Sequence, residues 1–334
     1  MQNTSVVVIG GGTGSYTVLS GLKKLEALSL KAIVTVTDSG GSSGRLRDEY
    51  GILPVGDIRQ SLVALAEGKN GDSLLRKLFL YRFDRGDMDG HNFGNLFLTA
   101  MTDILGSEEK AIAYTSRVLK IKGEVIPVTN KDIDLVAEYA DGSVLVGEAN
   151  IDEPNEKHDR TSRITSLRVQ PSARISGKAR DAIQESDCII LGPGDLYSSL
   201  LSNFAVGGVK KAIASSRAKF IYVVNIMTKY GQTHGYTAAD HVREVRKYAG
   251  RTPDMVIIND SPPPTSLLKP YKVEHAFPVV DDLDDQFKNI TVRKDILSTH
   301  RVKSIKGDRV KRSLVRHDSG KLAKVLDGLI RMKH

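Results

Sequence analysis

Two glycine-rich turns near the N-terminus carry the residue types that bind phosphate. The first, Gly10-Gly11-Gly12-Thr13-Gly14-Ser15, follows the β-branched run Val6-Val7-Val8-Ile9 and leads into residues 16–25, where Leu19, Leu22 and Leu25 recur at helical spacing. Residues without a side chain let the backbone curl tightly, and the helix that follows aims its unpaired N–H groups at a negative ligand. The second turn, Asp38-Ser39-Gly40-Gly41-Ser42-Ser43-Gly44-Arg45, repeats the device after the apolar run 30–37 and is closed by Arg45 and Arg47. The spacing Gly10-x-Gly12-x-Gly14 places Ser15 where a dinucleotide fingerprint has its third glycine, and no Gly-Lys-Ser/Thr follows, which excludes a P-loop. If the two strands are parallel neighbours, both turns emerge at one sheet edge. They then call for a ligand with more than one negative group, and a nucleotide diphosphate fits best.

Further polar turns carry candidate ligand-reading groups. Val55-Gly56-Asp57-Ile58-Arg59 opens a helix through Leu62 and Leu65. Asp57 reads as its N-cap, and Arg59 in the first turn is unfavourable against the helix dipole unless an anion lies nearby. In Gly90-His91-Asn92-Phe93-Gly94-Asn95, both asparagines can donate and accept, which suits hydroxyls or a base edge. His91 has no second histidine or carboxylate at metal spacing and reads as a structural or hydrogen-bonding histidine, so no metal site is expected. Gly192-Pro193-Gly194-Asp195-Leu196-Tyr197-Ser198-Ser199 follows the apolar run 188–191, and the polar stretch 225–236 follows the run 220–226.

These turns need a scaffold that gathers strand ends. The apolar runs 6–9, 30–37, 188–191, 220–226 and 255–259 are continuous rather than alternating, as strands buried on both faces are, and helical stretches separate them. The expected fold class is therefore α/β, a Rossmann-like open, mostly parallel sheet with helices on both faces and its ligand beyond the carboxyl ends of the strands. Residues 123–170 alternate or run in short β-rich segments separated by turns such as Asp141-Gly142, and read as a small inserted antiparallel region. Tyr271-Lys272-Val273 and Pro278-Val279-Val280 read as short strands, and Asp281-Asp282-Leu283-Asp284-Asp285 as an exposed acidic turn. Arg316-His317-Asp318-Ser319 opens a terminal helix, with Asp318 or Ser319 as cap.

Composition narrows the setting. Hydrophobic residues make up 40% and charged residues 26% of the 334, an ordinary balance for a water-soluble chain. No apolar run approaches the roughly 18 residues of a membrane span, and no charged-then-apolar leader opens the chain. The single cysteine, Cys188, falls in a predicted buried strand, so an intramolecular disulfide is excluded and a reducing cytoplasm is the expected compartment. The net charge of +8 resides wholly in residues 300–334, a basic helical segment with Leu314, Leu322, Val325, Leu326 and Leu329 near helical spacing. Without interleaved aromatics or a reader motif, this segment is read as a solvated amphipathic helix rather than a nucleic-acid interface.

Taken together, the motifs resemble the YvcK family of gluconeogenesis factors, within the CofD-like superfamily of 2-phospho-L-lactate transferases. The resemblance rests on Gly10 through Gly14, Asp38 through Arg47, Gly56-Asp57-Ile58-Arg59, Gly90 through Leu96, Gly192 through Ser198, and Gly235-Tyr236-Thr237-Ala238-Ala239-Asp240-His241. Gly192-Pro193-Gly194 resembles the YvcK branch, whereas the transferase branch carries Gly-Pro-Ser-Asn-Pro there. The resemblance implies one CofD-like domain over residues 1–334, a cytoplasmic bacterial setting, a role in cell shape and peptidoglycan-linked metabolism during gluconeogenic growth, and binding of a UDP-sugar such as UDP-N-acetylglucosamine. It adds Tyr271 and Arg316 to the contacts expected from Gly11, Gly12, Thr13, Gly14, the stretch Asp38 to Arg45, Asp57, Arg59, Asn92, Asn95, Gly192, Gly194 and Tyr197. Three positions depart from the family pattern: Asp38-Ser39 stands for two aspartates, Val55-Gly56-Asp57 for Pro-Gly-Asp, and Gly231-Gln232-Thr233 for Gly-Glu-Thr.

Two functions follow as expectations. One is a regulator that binds a UDP-sugar across the glycine turns without turnover, its diphosphate held by backbone donors with Arg45, Arg59 and Arg316. The other is a transferase moving a phospho-organic group from a nucleotide diphosphate carrier to a hydroxyl. That chemistry needs a base, for which Asp38, Asp57 and His91 are the candidates, and Mg²⁺ enters only in this alternative. The regulator is preferred, because no compact acid–metal constellation stands in the sequence. Partners expected beside the nucleotide-sugar are further copies of the chain and an unidentified protein.

Overall fold

The computed structural model describes residues 3–67, 74–299 and 313–332. Its strands are β1 (Thr4–Gly10), β2 (Leu28–Val34), β3 (Glu124–Pro127), β4 (Asp134–Tyr139), β5 (Val144–Val146), β6 (Ile164–Gln170), β7 (Cys188–Leu191), β8 (Lys219–Val223), β9 (Met255–Asn259) and β10 (Thr291–Lys294). Among the described residues one parallel sheet runs β10-β9-β8-β7-β1-β2-β3, and a separate antiparallel sheet runs β5-β4-β6. The chain begins at β1 in the middle of the large sheet, steps outward to β2 and β3, and returns to β7 on the opposite flank of β1. This reversal between β1 and β7 is a topological switch point, where the connections leave a crevice beyond the strand ends. The expected α/β architecture is observed.

The continuous apolar runs bury both faces of the sheet. Val7, Ile9, Ile33, Ile189, Leu191, Phe220 and Tyr222 face one layer, which holds the helices Gly177–Gln184, Val209–Ser215 and Ala238–Ala249. Val6, Val8, Ala32, Val34, Cys188, Ile190 and Ile221 face the other, packed on α1 (Gly12–Leu22) and on the helices Gly56–Leu65 and Ser319–Arg331. Residues within each strand thus alternate between layers, although every one of them is apolar. Leu135, Ala137 and Ile164 of the smaller sheet, with Ile133 just before β4, join the first layer, so this insertion is seated on the core.

Three elements differ from their sequence-based expectation. Residues 123–170 divide, because Glu124–Pro127 pairs in parallel with β2 as the last strand of the large sheet. A short β-branched run suits either sheet, and the pairing partner is chosen by tertiary packing. Tyr271-Lys272-Val273 ends the helix Thr265–Val273 rather than forming a strand, and Pro278 and Val280 make only isolated bridges to Met227 and Thr237. Asp318 caps the terminal helix as expected, accepting from the N–H groups of Gly320 and Lys321 at 2.8 Å each. Residues 300–312 of the basic segment lie outside the described residues.

The terminal helix lies tightly on α1. A Cβ at Gly21 would stand 2.2 Å from the Ser319 carbonyl oxygen and 2.9 Å from the Ala323 Cβ. Gly21→Ala should therefore lower stability by about 1–3 kcal/mol, although alanine is the better helix former by about 1 kcal/mol. Urea unfolding monitored by circular dichroism reads the sign directly, and a stabilised variant would contradict the close packing.

Candidate functional site

The turns after β1, β2, β7 and β8 converge on one cleft of about 1690 Å³ beyond the carboxyl ends of the strands. Their contact is mediated by missing side chains. A Cβ at Gly14 would lie 1.9 Å from the Pro193 carbonyl oxygen, so the turn after β7 rests on the first glycine turn. The Gly194 N–H donates to Asn225 Oδ1 at 3.1 Å, joining the turn after β8. On the other flank, a Cβ at Gly56 would lie 2.5 Å from Asp38 Oδ2 and 2.4 Å from Ser43 Oγ, which brings the turn after β2 onto the helix of Asp57.

Two helix N-termini open into this cleft. α1 and α2 (Gly41–Tyr50) have glycine N-caps, Gly11 and Gly40, that supply no side-chain cap. First-turn N–H groups have no partner inside their own helix, and Gly12, Thr13, Gly14, Gly41, Ser42 and Ser43 all line the cleft. Gly12 alone is engaged by a side chain, because its N–H donates to Asp57 Oδ1 at 2.9 Å. Asp57 is therefore not the N-cap of its own helix, α3 (Gly56–Leu65), whose N-cap is Val55; it lies in the first turn and holds the first glycine turn in place. Aligned N–H groups with a positive dipole end favour phosphate.

The other predicted residues divide between wall and support. Arg45, Arg59, Asn95, Gly194, Tyr271 and Arg316 line the cleft; Ser39, Gly44, Asn92, Gly192 and Tyr197 do not. Arg59 is only 7% exposed and donates to Asn95 Oδ1 at 2.8 Å, while the Asn95 amide donates to Ser42 Oγ at 3.2 Å. This chain ties α3 and the helix Phe93–Leu105 to the start of α2 and stiffens the second cradle. Asn92 caps the helix Phe93–Leu105 and donates to the Tyr81 carbonyl at 2.9 Å, so both ends of its amide are engaged away from the cleft. Ser39 accepts from the Ala149 N–H at 3.0 Å. Tyr197 is buried, with its hydroxyl 2.8 Å from that of Tyr236. Arg47 turns outward to Asp132 and Asp134 at 2.6 and 2.8 Å.

Beneath the cradles the cleft is acidic. Asp38, Asp57, Glu148 and Asp152 line it together. Burial raises the pKa of Asp38 above the ordinary carboxylate value, opposed by the Gly40 N–H and Ser43. Burial, and then the Asp38 charge, push Asp57 up to about 7. Glu148 is raised by burial and by the charges of Asp38 and Asp152. Against Asp152 stands Lys229, paired also with Asp195 at 2.9 Å; burial alone would lower its pKa, but the two carboxylates raise it. Gln232 completes the group, donating to Asp152 Oδ1 at 3.0 Å and to Ser198 Oγ at 3.2 Å. A glutamate at 232 would have no proton to donate to Asp152, so the glutamine suits this neighbour. Among the described residues no group of three or more histidine, cysteine or carboxylate side chains is placed to hold a metal ion.

Beyond β8 the wall changes to rings and the C-terminal segment. The Tyr271 hydroxyl accepts from the N–H groups of Leu314 and Val315 at 2.8 and 3.0 Å, fastening the segment that carries Arg316. Next to it, His317 hydrogen-bonds the Val224 carbonyl, and burial lowers its pKa to about 4, keeping the ring neutral. Lys229, Asp152 and His317 escaped sequence reasoning. The polar stretch 225–236 was a signal for the lysine, but nothing in the β-rich insertion announces that Glu148 and Asp152 reach the cleft.

The chain matches the family model for 2-phospho-L-lactate transferase CofD over residues 6–297. It is similar to the gluconeogenesis factor of Bacillus subtilis, with 37% identity covering 99% of each chain. The similarity to the gluconeogenesis factor of Listeria innocua is 39% over 98% of this chain and 96% of the relative. A crystal structure of a UPF0052-family protein from Bacillus halodurans has a TM-score of 0.86 at 35% identity, covering 98% of this chain and 99% of that one. The chain belongs to the YvcK family of gluconeogenesis factors, within the CofD-like superfamily.

The raised pKa of Asp57 makes stability depend on pH. A carboxyl whose folded pKa is raised binds its proton more tightly when folded, so the stability it contributes is present below about 4 and lost as pH rises through about 7. Asp57→Asn keeps an oxygen for the Gly12 N–H and removes the charge. The variant should match the wild type near pH 4 and exceed it at pH 8 by at least about 1 kcal/mol, as read from thermal melts at both pH values. A variant that is less stable at pH 8 would contradict the assigned shift.

Proposed function

We propose that this protein binds a nucleotide diphosphate sugar of the UDP-N-acetylglucosamine type and acts in the cytoplasm as a regulator of cell shape and of cell-wall and carbon metabolism under gluconeogenic growth, without consuming the ligand. The observation that carries this reading is the convergence of two helix N-termini with glycine N-caps, at Gly12 and Gly41, on one arginine-lined cleft. Two cradles side by side suit two linked phosphates. The volume exceeds the roughly 300–1,000 Å³ of common small-molecule pockets and leaves room for a base at one end and a sugar at the other. The names of the relatives support the metabolic role. The ligand itself is the only small molecule this reading requires, and the regulator acts through a protein partner or further copies of the chain.

One observation favours a second reading, a CofD-like transfer to an acceptor hydroxyl. Asp38 and Asp57 stand together at the foot of the two cradles with raised pKa values, as a general base requires. Mg²⁺ is commonly held by one or two carboxylates plus substrate phosphates, so these two residues fit the ion once a diphosphate is bound. When bound, the ion would offset charge on the leaving phosphate.

Calorimetric titration with UDP-N-acetylglucosamine separates the two readings. Micromolar binding, with the ligand recovered intact after incubation with Mg²⁺ and candidate acceptors, is the expected result; release of free UMP, the leaving group when the sugar phosphate moves to an acceptor hydroxyl, supports the transferase, and absence of binding contradicts the UDP-sugar reading. Tyr271→Phe removes the acceptor of two backbone N–H groups and loosens the Arg316 segment. It should weaken binding about tenfold, and unchanged affinity would remove Tyr271 from the site.

A further inference from the structure

The cleft is chemically lopsided. Among the described residues, the wall built from residues 11–95 presents glycines, hydroxyls, arginines, carboxylates and the amides of Gln60 and Asn95, and no ring. Among the described residues, the rings that line the cleft, His158, Tyr230, Tyr271, His275 and His317, come from the insertion or from segments following β8. Tyr230 is the centre of a small aromatic group, with the His275 ring 4.8 Å away and tilted by 39°, and the His234 ring edge-on at 5.2 Å. His275 is exposed and holds a left-handed backbone conformation, φ 53°, which a residue with a side chain adopts at a cost. Flat faces of this kind take nucleobases with little regard to sequence, whereas the ringless wall takes phosphates.

His317 adds an edge to this face. Among the described residues its ring has one hydrogen bond, to the Val224 carbonyl, and its Nε2 is buried with no partner. The bonded nitrogen therefore carries the proton, and Nε2 is left as a bare acceptor. A buried acceptor without a donor is unfavourable, and a ligand N–H that reaches it relieves this. Uracil presents such a donor at N3–H, between two carbonyls. Cytosine has a lone pair at the same position, so it would set acceptor against acceptor.

Resting on the UDP-sugar reading above, we propose that the end of the cleft formed by Tyr230, Tyr271, His275 and His317 takes the nucleobase, and that His317 Nε2 selects uracil over cytosine by accepting its N3–H. The ligand then lies with its base beyond β8 and its diphosphate on the N-termini of α1 and α2. Its sugar is directed toward the carboxylates of the floor.

Affinities of the full chain for UDP, CDP, N3-methyluridine diphosphate and inorganic pyrophosphate test this assignment. UDP should bind at least about tenfold more tightly than either CDP or the N3-methyl analogue. His317→Ala should bind UDP and CDP within about threefold of each other and pyrophosphate as the wild type does. The N3-methyl arm needs no variant and stands even if His317→Ala fails to fold. Equal binding of UDP, CDP and N3-methyl-UDP by the wild type, or an undiminished UDP preference in His317→Ala, overturns the base assignment while leaving UDP-sugar binding intact. If neither UDP nor UDP-N-acetylglucosamine binds at all, the proposed function fails and the base assignment with it.

Discussion

Close approach to side-chain-free glycines at the carboxyl rim of the parallel sheet is the constraint on which the rest depends. Gly14 touches the Pro193 carbonyl, Gly11 lies against the Asp57 carboxylate, and Gly56 lies against Asp38 and Ser43, each at a distance no Cβ could occupy. These contacts draw turns from β1, β2 and β7 into one wall. The buried sheet supplies the rigidity, because both of its faces are packed with alternating residues of the same strands. Without that support, two helix N-termini would not hold a common direction.

The wall is built on an electrostatic conflict. Helix ends and arginines invite an anion, while Asp38, Asp57, Glu148 and Asp152 beneath them repel one. Like charges interact strongly where burial keeps water away, and burial already pushes these carboxyls toward their neutral forms. A bound diphosphate would push them further, and its binding would then be coupled to proton uptake or to a cation. Lys229, held between Asp152 and Asp195, offsets part of the acidic charge of the floor. A site that balances in this way can respond to ligand without needing to transform it. The same balance is what a transferase would exploit with a divalent ion.

How much of this could be read from the residues follows from what each one needs locally. The glycine turns and the α/β rhythm were legible, because glycine between a β-branched run and a helical period has a backbone reason to be there. The direction in which polar side chains point was not. Asp57 has the look of a helix cap and instead reaches across to Gly12, Asn92 has the chemistry of a base reader and instead caps its own helix, and Tyr197 follows a glycine turn yet faces the core. The run 125–128 suits either sheet, and only its pairing with β2 decides. Lys229 and His317 lie in polar stretches that stand out locally, but their partners, Asp152 and the Val224 carbonyl, are far away in the chain and no local pattern names them.

The most direct measurement of the central claim is a crystal structure of the protein with UDP. The two phosphates should lie within hydrogen-bond distance of backbone N–H groups of Thr13 or Gly14 on α1 and of Ser42 or Ser43 on α2. Phosphates bound elsewhere, or contacting only one of these helix ends, would contradict a single diphosphate site made by both turns.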